Sequence, residues 1–208
     1  MNLFELKNVS KSFSDNYTLQ NFSYIISEGD KIIISGRSGI GKTTLFKLLL
    51  GFEQPDAGSI LYKSTKYDEE NIWHIRKEIA YVPQNLNIGN GNVMQLFDSS
   101  IAISTKQKNR KTDQKKLNEL LVYFELERNV LEKNLETLSG GEKQRIAIIN
   151  AILLERKIYF LDEISSALDK KLKTKTIDYF FRNKDYTVLA ISHDGYVPDY
   201  IEVKTIAL

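Results

Sequence analysis

Gly36-Arg37-Ser38-Gly39-Ile40-Gly41-Lys42-Thr43-Thr44 packs three glycines, a lysine and two threonines into one short stretch. The run before it, Lys31-Ile32-Ile33-Ile34-Ser35, is short and continuously apolar, which predicts a buried strand leading into the glycines. After Lys42, the spacing of Leu45, Phe46, Leu48 and Leu49 predicts a helix to Leu50 with Gly51 at its end. Strand, glycine loop and helix in that order make an anion cradle. Glycines let backbone N–H groups converge on phosphate oxygens, and the positive end of the helix adds to the field. Gly36, Ser38, Gly39, Gly41, Lys42, Thr43 and Thr44 are therefore candidate ATP contacts. Lys42 is expected to reach the β- and γ-phosphates, and Thr43 offers its hydroxyl to Mg²⁺.

Phe160-Leu161-Asp162-Glu163 places two carboxylates at the end of a second apolar run. Two solvated acids capping a strand would explain them blandly, but charge at a buried strand end is costly unless it is paired or metal-bound. Beside a phosphate loop, Asp162 is expected to hold Mg²⁺ through water and Glu163 to face the water that attacks the γ-phosphate. Leu138-Ser139-Gly140-Gly141-Glu142 reads first as a capping box, with Ser139 as the cap, Glu142 three residues on, and Ile146, Ile149 and Leu153 turned inward. A helix start that exposes Ser139 and two bare backbones is also an anion site, so the two readings do not compete.

The elements that must hold these residues follow from patterning. Leu3 to Val9 and Leu19 to Ile26 alternate loosely, as antiparallel strands with one wet face do. A turn over residues 53–58 precedes a strand around Ser59-Ile60-Leu61-Tyr62. Residues 85 to about 137 become polar and rich in Asn and Lys, with Leu117, Leu120, Leu121 and Phe124 at helical spacing. They are expected to form a small inserted helical subdomain. Tyr159-Phe160-Leu161 and Thr187 to Ile191 predict two more buried strands flanking a helix near residues 171–182. Strands alternating with helices after Lys31 imply an α/β fold with a parallel core, joined to an antiparallel β subdomain, all within a single domain over 1–208.

Bulk composition narrows the function. Lys plus Arg at 29 against Asp plus Glu at 27 gives a net charge of +2, which implies no general pull toward nucleic acid or anionic lipid. The absence of cysteine excludes a disulfide scaffold and thiolate metal sites. The start lacks the basic-then-apolar order of a signal peptide, and no apolar run approaches the roughly 20 residues a membrane-spanning helix needs.

In this order the motifs resemble those of the ATP-binding cassette (ABC) ATPases, and the resemblance runs from about Leu3 to His193. It implies a phosphate-loop NTPase fold of the ABC type. Leu138-Ser139-Gly140-Gly141-Glu142-Lys143-Gln144-Arg145 is similar to the family's signature. In that family the signature binds the γ-phosphate held by a second subunit, which here implies an ATP-dependent head-to-tail homodimer using Ser139, Gly140, Gly141 and Glu142 in trans. Gln84, in Tyr81-Val82-Pro83-Gln84, matches the glutamine that touches Mg²⁺ and senses the transport partner. His193 matches the histidine that contacts the γ-phosphate, joining Glu163 and Lys42 as the catalytic set. Ser166-Ala167-Leu168-Asp169 matches the loop that crosses the dimer. Tyr17 stands where the family stacks an aromatic on adenine, with Phe13 as a substitute, whereas Trp73 reads as a packing residue and His74 as structural or exposed.

The resemblance implies ATP and Mg²⁺ as cofactors and a separate transmembrane permease subunit, with this chain on the cytoplasmic face of the membrane and no nucleic-acid partner. Residues 75–84 are similar to exporter cassettes, and residues 138–169 to short stand-alone subunits of the YbbL type, associated with iron export. The segment Asn85 to Val93 lacks the Phe-x-Gly-Thr stretch common in exporters. Peptide or drug export is the main rival for cargo. A soluble ABC ATPase acting on ribosomes or DNA is a second class. A phosphate-loop kinase or GTPase is a third, but it leaves residues 139–141 and 162–163 unexplained. About 15 residues follow His193, so no regulatory domain is expected there.

Overall fold

The computed structural model describes the chain except residues 14–15, 69, 105–113, 165–166 and 193–196, and only the backbone of residues 13, 16–18 and 104. The chain opens with two long strands, β1 (Asn2–Phe13) and β2 (Asn16–Ser27), then β3 (Lys31–Ser35) and helix α1 (Lys42–Leu49). Next come β4 (Ala57–Tyr62), β5 (Thr65–Lys66), α2 (Ile72–Glu78) and β6 (Ile79–Val82). Helices α3 (Val93–Ser104) and α4 (Gln114–Tyr123) and two short 3₁₀ turns lead into α5 (Gly140–Leu153). The chain then forms β7 (Ile158–Asp162), α6 (Lys170–Phe181), β8 (Thr187–Ile191) and β9 (Lys204–Ala207).

The strands form two sheets. One is antiparallel, in the order β2-β1-β4-β5, and the other runs β6-β7-β8-β3-β9 with every neighbouring pair parallel. Side chains alternate across the parallel sheet and so feed two cores. Ile32, Ile34, Phe160 and Leu189 face α1 and the antiparallel sheet, where Phe160 lies 4.9 Å from the Phe46 ring of α1 and 6.0 Å from the Phe4 ring of β1. Ile33, Tyr159, Leu161 and Val188 face the opposite way, against α3, α4, α5 and α6. A sheet covered on both faces explains why its strands read as unbroken apolar runs. Burial of one Leu- or Phe-sized side chain contributes about 1.5–3 kcal/mol, so these two layers supply much of the driving force for folding.

Three elements differ from expectation. Helix α5 is buried on nearly every side, since Ala147, Ile148, Ala151 and Ile152 join Ile146, Ile149 and Leu153 in the core. It is therefore an interior helix and not an amphipathic surface one. Trp73, expected to pack, is 63% exposed and lies 5.0 Å from the Arg76 guanidinium. Arg76 is occupied beneath it, donating from Nε and Nη2 to the Leu50 and Gly51 carbonyls at 2.8 Å each and so satisfying the carboxyl end of α1. Strand β9, unforeseen, adds an edge beside β3. Among the described residues no helix is long and apolar enough to cross a membrane.

Candidate active site

The carboxyl ends of β3, β6 and β7 lie along one edge of the parallel sheet, the edge at which such sheets hold ligands. β3 runs directly into Gly36, β6 leads to Gln84, and β7 ends on Asp162 with Glu163 following. The glycine loop can form only with glycine at its crowded points. A Cβ on Gly36 would sit 2.8 Å from the Leu208 carbonyl oxygen, because β9 brings the last residue against the loop. Gly41, the residue before α1, has φ 116°, a conformation that L side chains rarely adopt.

Lys42 is 5% exposed, and its ammonium donates to the Gly36 carbonyl at 2.9 Å and the Arg37 carbonyl at 3.0 Å. The lysine thus braces the loop from inside. One residue on, Thr43 Oγ1 donates to Asp162 Oδ2 at 3.2 Å and joins the loop to the end of β7. Tyr81 of β6 donates to the same oxygen at 3.3 Å. Asp162 is 1% exposed. Burial pushes its carboxyl above the usual range, and the hydrogen bonds from Thr43 and Tyr81 oppose that rise.

Among the described residues Asp162 Oδ1 has no hydrogen-bond partner although it is buried. A buried acceptor left unpaired costs roughly 1–3 kcal/mol. An oxygen of this kind, next to a threonine hydroxyl and a phosphate cradle, suits a hard, oxygen-seeking cation such as Mg²⁺. Gln84 Nε2 donates to Glu163 Oε2 at 2.6 Å, so the glutamine and the second carboxylate meet. Glu163 has φ 50°, the left-handed region, and its N–H donates to the Ile191 carbonyl of β8 at 3.2 Å. That conformation costs a non-glycine residue about 1 kcal/mol, and such cost concentrates at functional positions.

Ser139 to Glu142 form a separate cluster. Glu142 N–H donates to Ser139 Oγ at 3.3 Å and Ser139 N–H to Glu142 Oε2 at 2.9 Å, a complete capping box at the start of α5. Lys133 Nζ donates to Glu142 Oε1 at 2.8 Å and, with the Ser139 backbone bond, lowers the Glu142 carboxyl to about 2. Gly140 has open space where a Cβ would stand. Among the described residues, no hydrogen bond or ion pair joins residues 139–142 to residues 36–44, and α1 and α5 lie on opposite faces of the sheet. Asp169 caps α6, accepting from the Leu172 N–H at 2.9 Å. His193 and Ser166 lie outside the described residues, as does the side chain of Tyr17.

Sequence reasoning missed two contributors. Tyr81 reads as strand filler because its partner stands on the neighbouring strand, and Lys133 carries no local mark. Arg145, noted only within the signature, donates to the Gly141, Phe124 and Glu125 carbonyls and ties α5 to the end of α4.

A glycine cradle, a braced lysine and a buried carboxylate bonded to the loop threonine are the arrangement that a phosphate-binding loop requires. Residues 19–166, more than half of the chain, match the ABC transporter family. The methionine import ATP-binding protein MetN of Clostridium tetani is 35% identical over 198 residues; the match takes in 92% of this chain, which spans 61% of that protein. The probable iron export ATP-binding protein FetA of Escherichia coli is 31% identical over 195 residues, 92% of this chain and 85% of that one. Among solved structures, the dimeric bacterial ABC transporter cassette MJ0796 superposes with a TM-score of 0.79 at 26% identity, covering 92% of this chain and 88% of that one. The same cassette is also known in a post-hydrolysis state bound to ADP and Pi. The chain belongs to the ABC transporter family of ATP-binding subunits, and it is an ATP-binding ATPase.

Proposed function

We propose that two copies of this chain close head to tail around two Mg²⁺·ATP and drive export of a metal, iron being the example, through a separate transmembrane permease. The observation that carries the nucleotide chemistry of this reading is the junction at Asp162, where the loop threonine and a buried carboxylate oxygen, unpaired among the described residues, meet beside Glu163. Lys42, with the loop N–H groups of Gly36, Ser38, Gly39, Gly41 and Thr44, binds the β- and γ-phosphates. Thr43, Asp162 and Gln84 would hold Mg²⁺, which when bound offsets the charge on the phosphate oxygens. Glu163 orients the attacking water and accepts its proton at a carboxylate oxygen, and the water oxygen bonds to the γ-phosphorus as ADP leaves. His193 contacts the γ-phosphate, and Tyr17 stacks on adenine.

Gly140 leaves the start of α5 sterically open, as a surface that receives a partner's γ-phosphate requires, Gly141 lets the Ala167 carbonyl approach, and Ser139 and Glu142 fix that opening. Asp169 sits at the matching turn before α6. The permease would hold the cassette on the cytoplasmic face of the membrane. Export of metal takes its example from the probable iron export relative, 31% identical over 195 residues, and methionine import, 35% identical over 198 residues, is the reading it must be tested against.

The test is to purify the tagged chain from native membranes in mild detergent, identify what copurifies, and reconstitute the pair in vesicles. A stoichiometric multi-span protein and ATPase activity stimulated by ferrous ion support the proposal. Stimulation by methionine or by peptides instead overturns the metal reading, and recovery with ribosomes or nucleic acid alone overturns transport.

A further inference from the structure

Asp162 Oδ2 accepts from two hydroxyls carried by different elements, Thr43 on α1 and Tyr81 on β6. Of these donors only Thr43 belongs to the phosphate loop. The Tyr81 ring is held apart from its hydroxyl, packing edge-on against Phe46 with centroids 6.2 Å apart and an interplanar angle of 87°. A phenol facing a carboxylate oxygen can act only as the donor in this bond. A carboxylate with one donor can turn about its Cβ–Cγ bond and exchange its oxygens. Two donors from different directions, both on Oδ2, remove that freedom and leave Oδ1 as the carboxylate oxygen with no partner among the described residues.

We infer that Tyr81 is a positioning residue, whose phenol fixes the Asp162 carboxylate so that Oδ1 is the oxygen offered to the hydrated Mg²⁺ of the nucleotide. The inference rests on the reading of Asp162 as the Mg²⁺-holding carboxylate. A tyrosine that merely fills the core between β6 and α1 would use its ring and not its hydroxyl, and Tyr81→Phe separates the two roles.

The experiment follows binding of a fluorescent ATP analogue to the purified chain, in EDTA and across a Mg²⁺ titration, with steady-state ATPase rates alongside. Tyr81→Phe should leave affinity in EDTA unchanged and keep kcat at saturating Mg²⁺ within about twofold. The Mg²⁺ concentration giving half of the binding enhancement should rise roughly 3- to 10-fold, as expected for one lost hydrogen bond. An unaltered Mg²⁺ dependence overturns the positioning role, as does an equal loss of affinity with and without Mg²⁺, which would mark a structural residue. Asp162→Asn, run in parallel, should abolish the Mg²⁺ enhancement. If it does not, the reading of Asp162 fails independently of anything Tyr81→Phe shows.

Discussion

The phosphate loop and the start of α5 are both glycine-rich ends of helices, yet they are finished in opposite ways. Around the loop, Lys42 closes on the loop's own Gly36 and Arg37 carbonyls, but Thr43 reaches across the fold to Asp162 and the Leu208 carbonyl stands close against Gly36. Around Ser139 the bonds stay local, among Ser139, Glu142 and Lys133, and Gly140 faces open space. One anion site is tied to a distant strand end, and the other is a local cap that is open at Gly140 and close to the Ala167 carbonyl at Gly141. The glycines accordingly serve different ends, close packing in the loop and access at the helix start.

The largest effect should fall where the loop region does its chemistry. Glu163→Gln should bind ATP as the parent does and release phosphate roughly 10²–10⁴-fold more slowly, measured by phosphate release beside nucleotide titration. Unchanged turnover would remove Glu163 from that part. The glycines give the sharpest contrast. Gly36→Ala forces a Cβ against the Leu208 carbonyl and should cost about 1–3 kcal/mol of stability, together with ATP affinity. Gly140→Asp meets no atom and adds an acid to the first turn of α5, where the helix dipole welcomes it. Its melting temperature and single-chain ATP affinity should hold, while the ATP-induced dimer seen by sedimentation in the Glu163→Gln background should be lost. Equal behaviour of the two variants would break the comparison.

Smaller effects probe the cap alone. Ser139→Ala removes the acceptor for the Glu142 N–H and should cost ~1 kcal/mol, a fall in melting temperature of about 2–4 °C for a chain of this size. The pH dependence of Glu142 is subtler still. Its carboxyl ordinarily titrates at 4.5 and is lowered to about 2 in the fold. Stabilisation from the ionised form is therefore complete above 4.5 and disappears as pH falls toward 2. The gap in urea midpoint between the parent and Glu142→Gln should narrow between pH 7 and pH 3, and a constant gap would show that the charge contributes nothing.

Much of the site is visible in the sequence because its parts are local. Residues 36–44 carry their own strand, turn and helix signals, and Ser139 and Glu142 stand at capping distance. Strands β3, β7 and β8 show as apolar runs because the sheet is covered on both sides. Helix α3 was hidden because Val93, Phe97 and Ile101, all buried, recur every fourth residue inside a stretch read as polar. Strand β9 offers one buried residue, Ile206, and pairs with β3, which stands far earlier in the chain. Tyr81 illustrates the general limit: its value comes from β6 lying beside β7, a fact of tertiary pairing that no local spacing encodes.

The split of the parallel sheet between two cores bears on how such a chain can change over generations. In β7, Tyr159 and Leu161 belong to one core while Ile158 and Phe160 belong to the other, and Asp162 ends the strand. Substitutions of similar size there cost stability by degrees. An insertion or deletion of one residue would exchange the two sets of side chains at once and turn the final carboxylate away from the loop threonine. Lineages of this chain should thus tolerate drift in the identity of these residues far better than any change in their number, so that length, more than composition, is the inherited trait of this strand.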